Sequence, residues 1–336
     1  MEFLKTGKLQ SEFLEHLLGR IEIRDPSVVV GPGIGEDAAV LKCSDRYLIV
    51  KSDPITFAAD RIGWYAVNVN ANDIAAMGGI PRWFLVTMLL PQRSTTTALI
   101  EEIMNDLRKA CGDIGVSLIG GHTEITHGLE NPILSGTMLG ETDSESLIRK
   151  SIGEGDLLYI TKGVAIEATS IIARERRDEV TGRFGEKIYE KCRRFLEDPG
   201  ISVLREARIA VQSARVTGMH DPTEGGVLAG VYEMARCASV GVELDLDAIP
   251  VYDETRSLCR AFGLSPYGSI ASGALLIAVP RAEGEKLERG FSREALSLRK
   301  IGGFTTVNGP LIVRKEGREE ELKPVMRDEI TKLWEE

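Results

Sequence analysis

No stretch of the sequence approaches the roughly 20 consecutive apolar residues that span a bilayer; the longest largely apolar runs are Trp83 to Leu90 and Ala274 to Val279. A membrane partner is not expected. The opening Met1-Glu2-Phe3-Leu4-Lys5 lacks the basic segment, apolar core and small-residue cleavage site of a secretory signal, so the expected location is cytoplasmic. Cysteine is scarce. The five present (Cys43, Cys111, Cys192, Cys237, Cys259) are scattered and never in CxxC spacing, which speaks against a disulfide framework and a zinc site. Positive charge is also short: 41 Lys and Arg against 51 Asp and Glu leave a net −10, so a surface that tracks nucleic-acid phosphates is not expected. The run Arg174, Arg176, Arg177 suits a solvated helix face.

What is present is ordinary globular usage, 43% hydrophobic and 27% charged, which argues against long disorder. A chain of 336 residues, at roughly 150 residues per domain, suggests two domains. The stretch Glu141 to Asp156 carries little hydrophobic pattern and marks the expected boundary, dividing residues 1–150 from 151–336. Periodicity predicts a helix over Ser11 to Ile21, a glycine-rich mobile loop at Gly31 to Asp37, and a hairpin of strands Ala38 to Cys43 and Arg46 to Ser52. A long helix capped by Asp60 should run to Met77, followed by a buried strand Trp83 to Leu90 and a second helix Ser94 to Ile114. Strands then return at Val116 to Ile119 and Ile133 to Leu139. In the second half the pattern gives strands Leu157 to Thr161, Val242 to Leu246 and Ala274 to Val279. Helices are expected near Glu167 to Arg174, Gly185 to Phe195, Ile201 to Ala214 and Val227 to Ala238. Strict strand-helix-strand alternation is missing, so the expected class is α+β.

The helix over 60–77 is odd in one respect. Asn68, Asn70, Asn72 and Asp73 crowd its second half, although Asn and Asp are poor helix-interior residues. Something other than helix propensity put them there. Acidic residues also recur at the ends of apolar segments: Glu36 and Asp37, Asp53, Asp73, Glu124 and Asp221. Each alone reads as a turn former or cap. Together they resemble oxygen ligands for a hard cation, because Mg²⁺ takes one or two carboxylates directly and completes its octahedron with water and phosphate oxygens.

Gly33-Ile34-Gly35 lacks the Lys-Ser/Thr of a Walker loop and the GxGxxG of a dinucleotide fold, so alone it is a weak signal. In Asp221-Pro222-Thr223-Glu224-Gly225-Gly226 a Gly-Gly pair opens a helix, where backbone N–H groups and the helix dipole attract anions, though the same pattern serves as a plain helix start. His122, in Gly120-Gly121-His122-Thr123-Glu124, is either a turn residue or a proton-transfer group. Lys51, Arg61 and Lys162 are cations open to phosphate contact or to ion pairing. No nucleophile motif of the Ser-His-Asp or Cys-His kind is present.

These residues resemble the superfamily of aminoimidazole ribonucleotide (AIR) synthetase, PurM, and the hydrogenase maturation protein HypE, with selenophosphate synthetase and thiamine-monophosphate kinase as further relatives. The matching stretches are Gly35-Glu36-Asp37-Ala38-Ala39-Val40, Ser52-Asp53, Asn72 through Pro81, Gly120 through Glu124, and His220 through Gly226. The resemblance implies a PurM-like two-domain fold, its N-terminal domain pairing with a second copy to form a central β-barrel and its C-terminal domain an α/β sandwich. It implies ATP in a groove between the domains, and Mg²⁺ at Asp37, Asp53, Asp73, Glu124 and Asp221. Gly33, Gly35, Asn72, Gly121, Thr123, Gly225 and Gly226 would lie along the nucleotide, and His122 and Asp73 would act in catalysis. The activity implied is ATP-dependent activation, by phosphoryl transfer, of an oxygen on a small substrate or partner-protein amide. A kinase of the thiamine-monophosphate type and a non-catalytic nucleotide-binding partner are the alternatives.

Departures from the relatives limit the transfer. HypE works through a cysteine at its extreme C-terminus, whereas this sequence ends Lys332-Leu333-Trp334-Glu335-Glu336 and its last cysteine is Cys259. HypE and the thiamine-phosphate kinase usually carry Asp where His122 stands. Selenophosphate synthetase needs a reactive Cys or Sec near its start, and no cysteine precedes Cys43.

Overall fold

The structure is a computed structural model that describes residues 9, 11–56, 60–325 and 327–334. The chain divides into two units. The smaller comprises Ile23–Gly31 and Asp37–Leu147; the larger takes the rest, including helix α1 (Ser11–Leu18), the Pro32–Glu36 loop and everything from Ile148 onward. The main division falls between Leu147 and Ile148, and the N-terminal helix and the loop group with the larger unit.

The smaller unit is a six-stranded sheet with helices against it. Its strands are β1 (Val28–Val30), β2 (Ala39–Cys43), β3 (Arg46–Ile55), β4 (Ile80–Pro91), β5 (Ser117–Thr126) and β6 (Ile133–Thr142), in the order β1-β2-β3-β6-β4-β5. Only β4 and β5 run parallel. Helix α2 (Ile62–Ala76) lies on β3, β4 and β6, with α3 (Thr97–Ile114) beside it. Strand β4 alternates buried and half-buried residues along most of its length, as a strand covered on one face should.

Two expectations fail at helix starts and strand ends. Asp60 does not cap α2; Arg61 does, in left-handed conformation at φ 60° with no side-chain cap bond. Thr96, by contrast, caps α3 by accepting from the Leu99 N–H at 3.2 Å. Strand β5 runs well past Ile119, through Gly120-Gly121-His122-Thr123-Glu124. Glycine hid this strand because its reason is packing, not turning: a side chain on Gly121 would collide with the Val86 backbone of β4.

Helix α2 is buried on almost every side, so its apolar and amide residues show no amphipathic stripe. It lies close to the sheet because β6 presents glycines beneath it. A Cβ on Gly140 would strike the Ile74 side chain and come within 2.8 Å of the Ile80 carbonyl oxygen.

The larger unit is built on a seven-stranded sheet. In chain order it holds β7 (Leu157–Thr161), α4 (Ile166–Glu175), α5 (Arg177–Phe184), α6 (Glu186–Arg193), α7 (Leu204–Ser213), β8 (Gly218–His220), α8 (Gly226–Ala238) and β9 (Val240–Asp245). Then follow α9 (Asp253–Ala261), β10 (Leu276–Val279), α10 (Gly284–Arg293), β11 (Leu298–Val307), β12 (Leu311–Lys315) and β13 (Arg318–Glu321). Strand order is β13-β12-β9-β11-β7-β10-β8, antiparallel except where β12 meets β9. Val227 and Val231 of α8 pack with Leu158, Ile160, Val242, Leu244, Ile301 and Phe304 in one core cluster. Every residue of β7 is buried, and the Tyr159 hydroxyl bonds Glu288 of α10 at 2.8 Å. Both units mix helices with largely antiparallel sheets, the α+β class that the pattern predicted. Among the described residues no helix is long and apolar enough to cross a membrane.

The fit beneath α2 generates a test. Gly140→Ala should destabilise the protein by about 1–3 kcal/mol, the usual cost of overpacking, read as a lower thermal midpoint; an unchanged midpoint would mean that the helix has slack above β6.

Candidate functional site

The smaller unit gathers Asp37, Asp53 and Asp73 around one lysine. Asp53 lies near the end of β3 and Lys51 two residues before it, so the two share a face of the strand. Asp73 comes from α2 above. Lys51 Nζ stands 3.1 Å from Asp73 Oδ1 and 3.7 Å from Asp53 Oδ2. Asp37, buried at the entry to β2, acts on both Lys51 and Asp73 through its charge.

Asn70 holds this arrangement. Its Oδ1 accepts from the Asp53 backbone N–H at 3.0 Å, and its Nδ2 donates to the Asp53 carbonyl at 3.2 Å and to Ala66 at 2.9 Å. The amide therefore pairs with β3 as a neighbouring strand would, and Asp73 sits one helical turn further on. Gly136 faces Asp53 across the β3–β6 pairing, and a Cβ there would lie 2.6 Å from Asn70 Nδ2. This accounts for an asparagine where helix propensity disfavours one. Asn68 bonds back to the Trp64 carbonyl at 3.0 Å, and Asn72 is fully buried in the same turn.

The charges are unbalanced. Burial pushes the Asp73 carboxyl up, Lys51 pulls it back, and Asp53 and Asp37 push it up again, to about 7. Burial works against the Lys51 ammonium, but Asp73, Asp53 and Asp37 more than offset this and its pKa is raised. Lys51 meets Oδ1 of Asp73, and Asp73 Oδ2 is buried with no hydrogen-bond partner among the described residues. Oxygen donors, excess negative charge and an orphaned buried carboxylate oxygen fit a hard divalent cation such as Mg²⁺.

Other expected residues stand elsewhere. His122 and Glu124 lie on the open side of edge strand β5, their side chains 66% and 55% exposed and 3.6 Å apart. Gly121 and Thr123 are on the same exposed strand. Arg61 pairs with Asp106 at 2.9 Å and lies over the Trp64 ring.

In the larger unit Asp221 is buried just after β8, and the preceding His220 meets Glu233 of α8 at 3.0 Å. The glycine-rich loop lies on α8: Gly35 has φ +76°, and a Cβ there would come within 2.7 Å of the Glu233 carbonyl oxygen. Gly33 lines a cavity of about 290 Å³ with Glu36, Tyr232 and Arg236. Gly225 and Gly226 open α8, but their donors are engaged within the chain, Gly225 N–H by Asp328 at 2.6 Å and Gly226 N–H by the Thr223 carbonyl at 3.0 Å. Lys162 Nζ donates to the Gly200 and Ser202 carbonyls and meets Glu206 at 3.3 Å.

Sequence reading missed Glu167 and Asp328. Burial first, then the charges of Glu224 and Asp328, push Glu167 up to about 8, with Ser272 offsetting part of the effect. Asp328 is raised by burial to about 6 although the Ile330 and Gly225 N–H groups favour its carboxylate. Neither stands in a motif, because their surroundings are assembled from distant parts of the chain.

Two models of one family match the chain: AIR synthase related protein, N-terminal domain, over residues 35–142, and its C-terminal domain over residues 153–313. A putative hydrogenase expression/formation protein of Methanocaldococcus jannaschii is 25% identical over 83% of this chain and 82% of its own. The thiamine-monophosphate kinase of Pyrococcus horikoshii is 26% identical over 68% and 71%. Among solved structures, Escherichia coli HypE matches with a TM-score of 0.73 at 19% identity, covering 96% of this chain and 99% of that one. A HypE in complex with ATP matches with a TM-score of 0.70 at 18% identity, covering 91% and 89%.

Glu167 gives a pH test. Its folded pKa is raised, so the stability tied to its neutral form is complete below about 4.5 and is lost as pH rises through about 8. Glu167→Gln should flatten the fall in melting temperature across that window and melt a few degrees above the parent at its alkaline end; parallel profiles for both proteins would place the titrating group elsewhere.

Proposed function

Because the chain belongs to the AIR synthase related family, we propose that it is an ATP- and Mg²⁺-dependent enzyme that activates an oxygen of a small substrate or partner-protein amide by phosphoryl transfer. The observation that carries this reading is the buried set Asp37, Asp53 and Asp73, fixed to the backbone through Asn70 and left with an orphaned carboxylate oxygen on Asp73. A Mg²⁺ ion held there would neutralise charge on the phosphate oxygens of ATP.

The residues of the chain have distinct parts in this reading. Asp53 and Asp73 would hold the ion from a strand end and a helix tied together through Asn70, so that the site is set before ATP arrives. Asp37 adds charge from the start of β2. Asn72 lies in the turn of α2 that carries Asp73 and is assigned to the nucleotide. Gly33, Gly35, Gly121, Thr123, Gly225 and Gly226 belong to the same proposal as nucleotide contacts, with Glu124 and Asp221 as further carboxylates. With the N–H groups of Gly225 and Gly226 engaged within the chain, phosphate binding would rest more on a Mg²⁺ held by the aspartates. His122, exposed beside Glu124, is assigned to proton transfer at the acceptor.

The alternative of a small-molecule kinase is supported by the similarity to the thiamine-monophosphate kinase of P. horikoshii. ATP turnover screened against hydroxyl, phosphate and amide acceptors separates the readings. A protein that binds ATP and turns none over with any acceptor is a nucleotide-binding partner instead.

A homodimer is part of the proposal. Among the described residues strand β5 is the sheet edge, paired with β4 alone, and exposes Ile119 and Ile125 at 55% and 56%. An open edge with apolar side chains is a template for another strand, here that of a second copy.

Two outcomes follow. The double variant Asp53→Asn, Asp73→Asn should lose Mg²⁺-dependent binding of a non-hydrolysable ATP analogue by more than the roughly 10–100-fold typical of changes to residues that only support a metal's ligands, measured by calorimetry; undiminished binding would remove the aspartates from the site. Light scattering at micromolar concentration should give twice the chain mass, and a monomer mass would refute pairing through β5.

A further inference from the structure

The segment 327–334 is fastened to the larger unit through carboxylates. Asp328 Oδ2 accepts from the Gly225 N–H, at the start of α8, at 2.6 Å, and Oδ1 accepts from the Ile330 N–H at 2.7 Å. Glu329 Oε2 accepts from the Ser265 N–H at 3.0 Å, and the Glu329 N–H donates to the Gly268 carbonyl at 3.1 Å. Ile330 and Leu333 are buried, and the short 3-10 helix Glu329–Trp334 packs on α4. Helix α4 brings Glu167 to this place, its Oε2 buried and without a hydrogen-bond partner among the described residues. The carboxylates that act on Glu167 are Glu224, just before α8, and Asp328.

We infer that Glu167 and Asp328 form a pH-sensitive clasp: a proton on Glu167 lets the ionised Asp328 hold the start of α8, and loss of that proton loosens segment 327–334. The two carboxyls ionise in sequence. Burial raises Asp328 to about 6, with the Ile330, Gly225 and Ile270 N–H groups favouring its charged form and Glu224 opposing it. Burial raises Glu167 further, to about 8; Ser272 offsets part of this, and Glu224 and Asp328 add to it. Between those values Asp328 is charged and Glu167 neutral, which is the state the clasp needs. Above them two buried carboxylates repel each other out of reach of screening water.

The segment is the side that gives way. Most of α4 is buried, and its Thr169 hydroxyl is bonded to that of Thr255 in α9 at 2.7 Å. Segment 327–334 is short and adds Ile330 and Leu333 to the core, the kind of element that opens ahead of a core helix. Cations stand on the elements around the clasp. Arg327 adjoins Asp328, Lys332 pairs with Glu329 at 2.7 Å, and Arg174 of α4 donates to the Arg193 carbonyl at 3.1 Å. Lys191 of α6 is paired with Glu254 of α9, and Arg177 of α5 with Glu186 of α6. They do not outweigh burial and the carboxylates at Glu167, whose pKa stays raised.

The sign follows from the raised pKa: the hold is complete while Glu167 is neutral and is lost as pH rises through about 8. Hydrogen exchange of the full chain between pH 7 and 9, read by mass spectrometry and corrected for the intrinsic rate, tests this. In the parent the amides of 327–334 should exchange ahead of those of β7, and their protection should fall about five- to tenfold across the window. Glu167→Gln should abolish the fall, and Asp328→Asn, which takes the neighbouring charge from Glu167, should make it smaller. Protection that stays level in the parent, or that falls equally in Glu167→Gln, would overturn the inference. So would a segment that exchanges at one common rate with β7 at every pH, since it then opens only with the whole unit. If Glu167→Gln fails to fold, an undiminished fall in Asp328→Asn overturns it instead.

Discussion

The pairing of the Asn70 side chain with both backbone groups of Asp53 is the constraint on which the smaller unit's chemistry depends. A buried amide left without partners costs about 1–3 kcal/mol, while a satisfied one rigidifies its surroundings. Asn70 is fully buried and makes three such bonds. It ties a helix to a strand end at the place where each contributes a carboxylate. The bare Gly136 on β6 makes room for it, and Gly140 lets the next turn of α2 come equally close. The order of cause runs from two glycines to a close helix, from the helix to a side-chain clamp, and from the clamp to paired aspartates.

That rigidity has an electrostatic cost. Buried carboxylates kept close together resist ionisation, and a core selected for stability alone would hold apolar residues there. Asp73 is raised to about 7 in the smaller unit and Glu167 to about 8 in the larger. The first is partly relieved by Lys51. The second faces two further carboxylates, Glu224 and Asp328, and its Oε2 is buried with no hydrogen-bond partner among the described residues. Two elements from opposite ends of the larger unit's sequence, α4 and the C-terminal segment, thus bring acid groups to the start of α8.

Legibility in the sequence followed the locality of the cause. Apolar periodicity located α3, β7 and α8, because those elements bury one face or both against a single core. The unusual asparagines of α2 were visible at once, though what they bond to was not: Asp53 is distant in sequence, and only the fold brings it near. Strand β5 was cut short by its glycines, and β11 went unseen because Gly302 and Gly303 interrupt its pattern at a bulge. Helix α10 is short and highly charged, with only a few residues inward, too few to stand out. The aspartates stand out in the sequence by their positions at segment ends; the fold sets Asp53 and Asp73 beside Lys51, with Asp37 acting on the lysine and on Asp73 through its charge. In the sequence Lys51 is no more than an isolated cation, since its place beside Asp53 and Asp73 is a property of the folded chain.

Anomalous diffraction from crystals grown with Mn²⁺ and a non-hydrolysable ATP analogue tests most directly the assignment of Asp37, Asp53 and Asp73 as metal ligands and not a structural ion-pair network. The expected result is a manganese peak in coordination distance of the Asp73 and Asp53 carboxylates, with Lys51 still bonded to Asp73. A nucleotide bound with its manganese away from these residues, or no peak beside a well-ordered aspartate cluster, would contradict it.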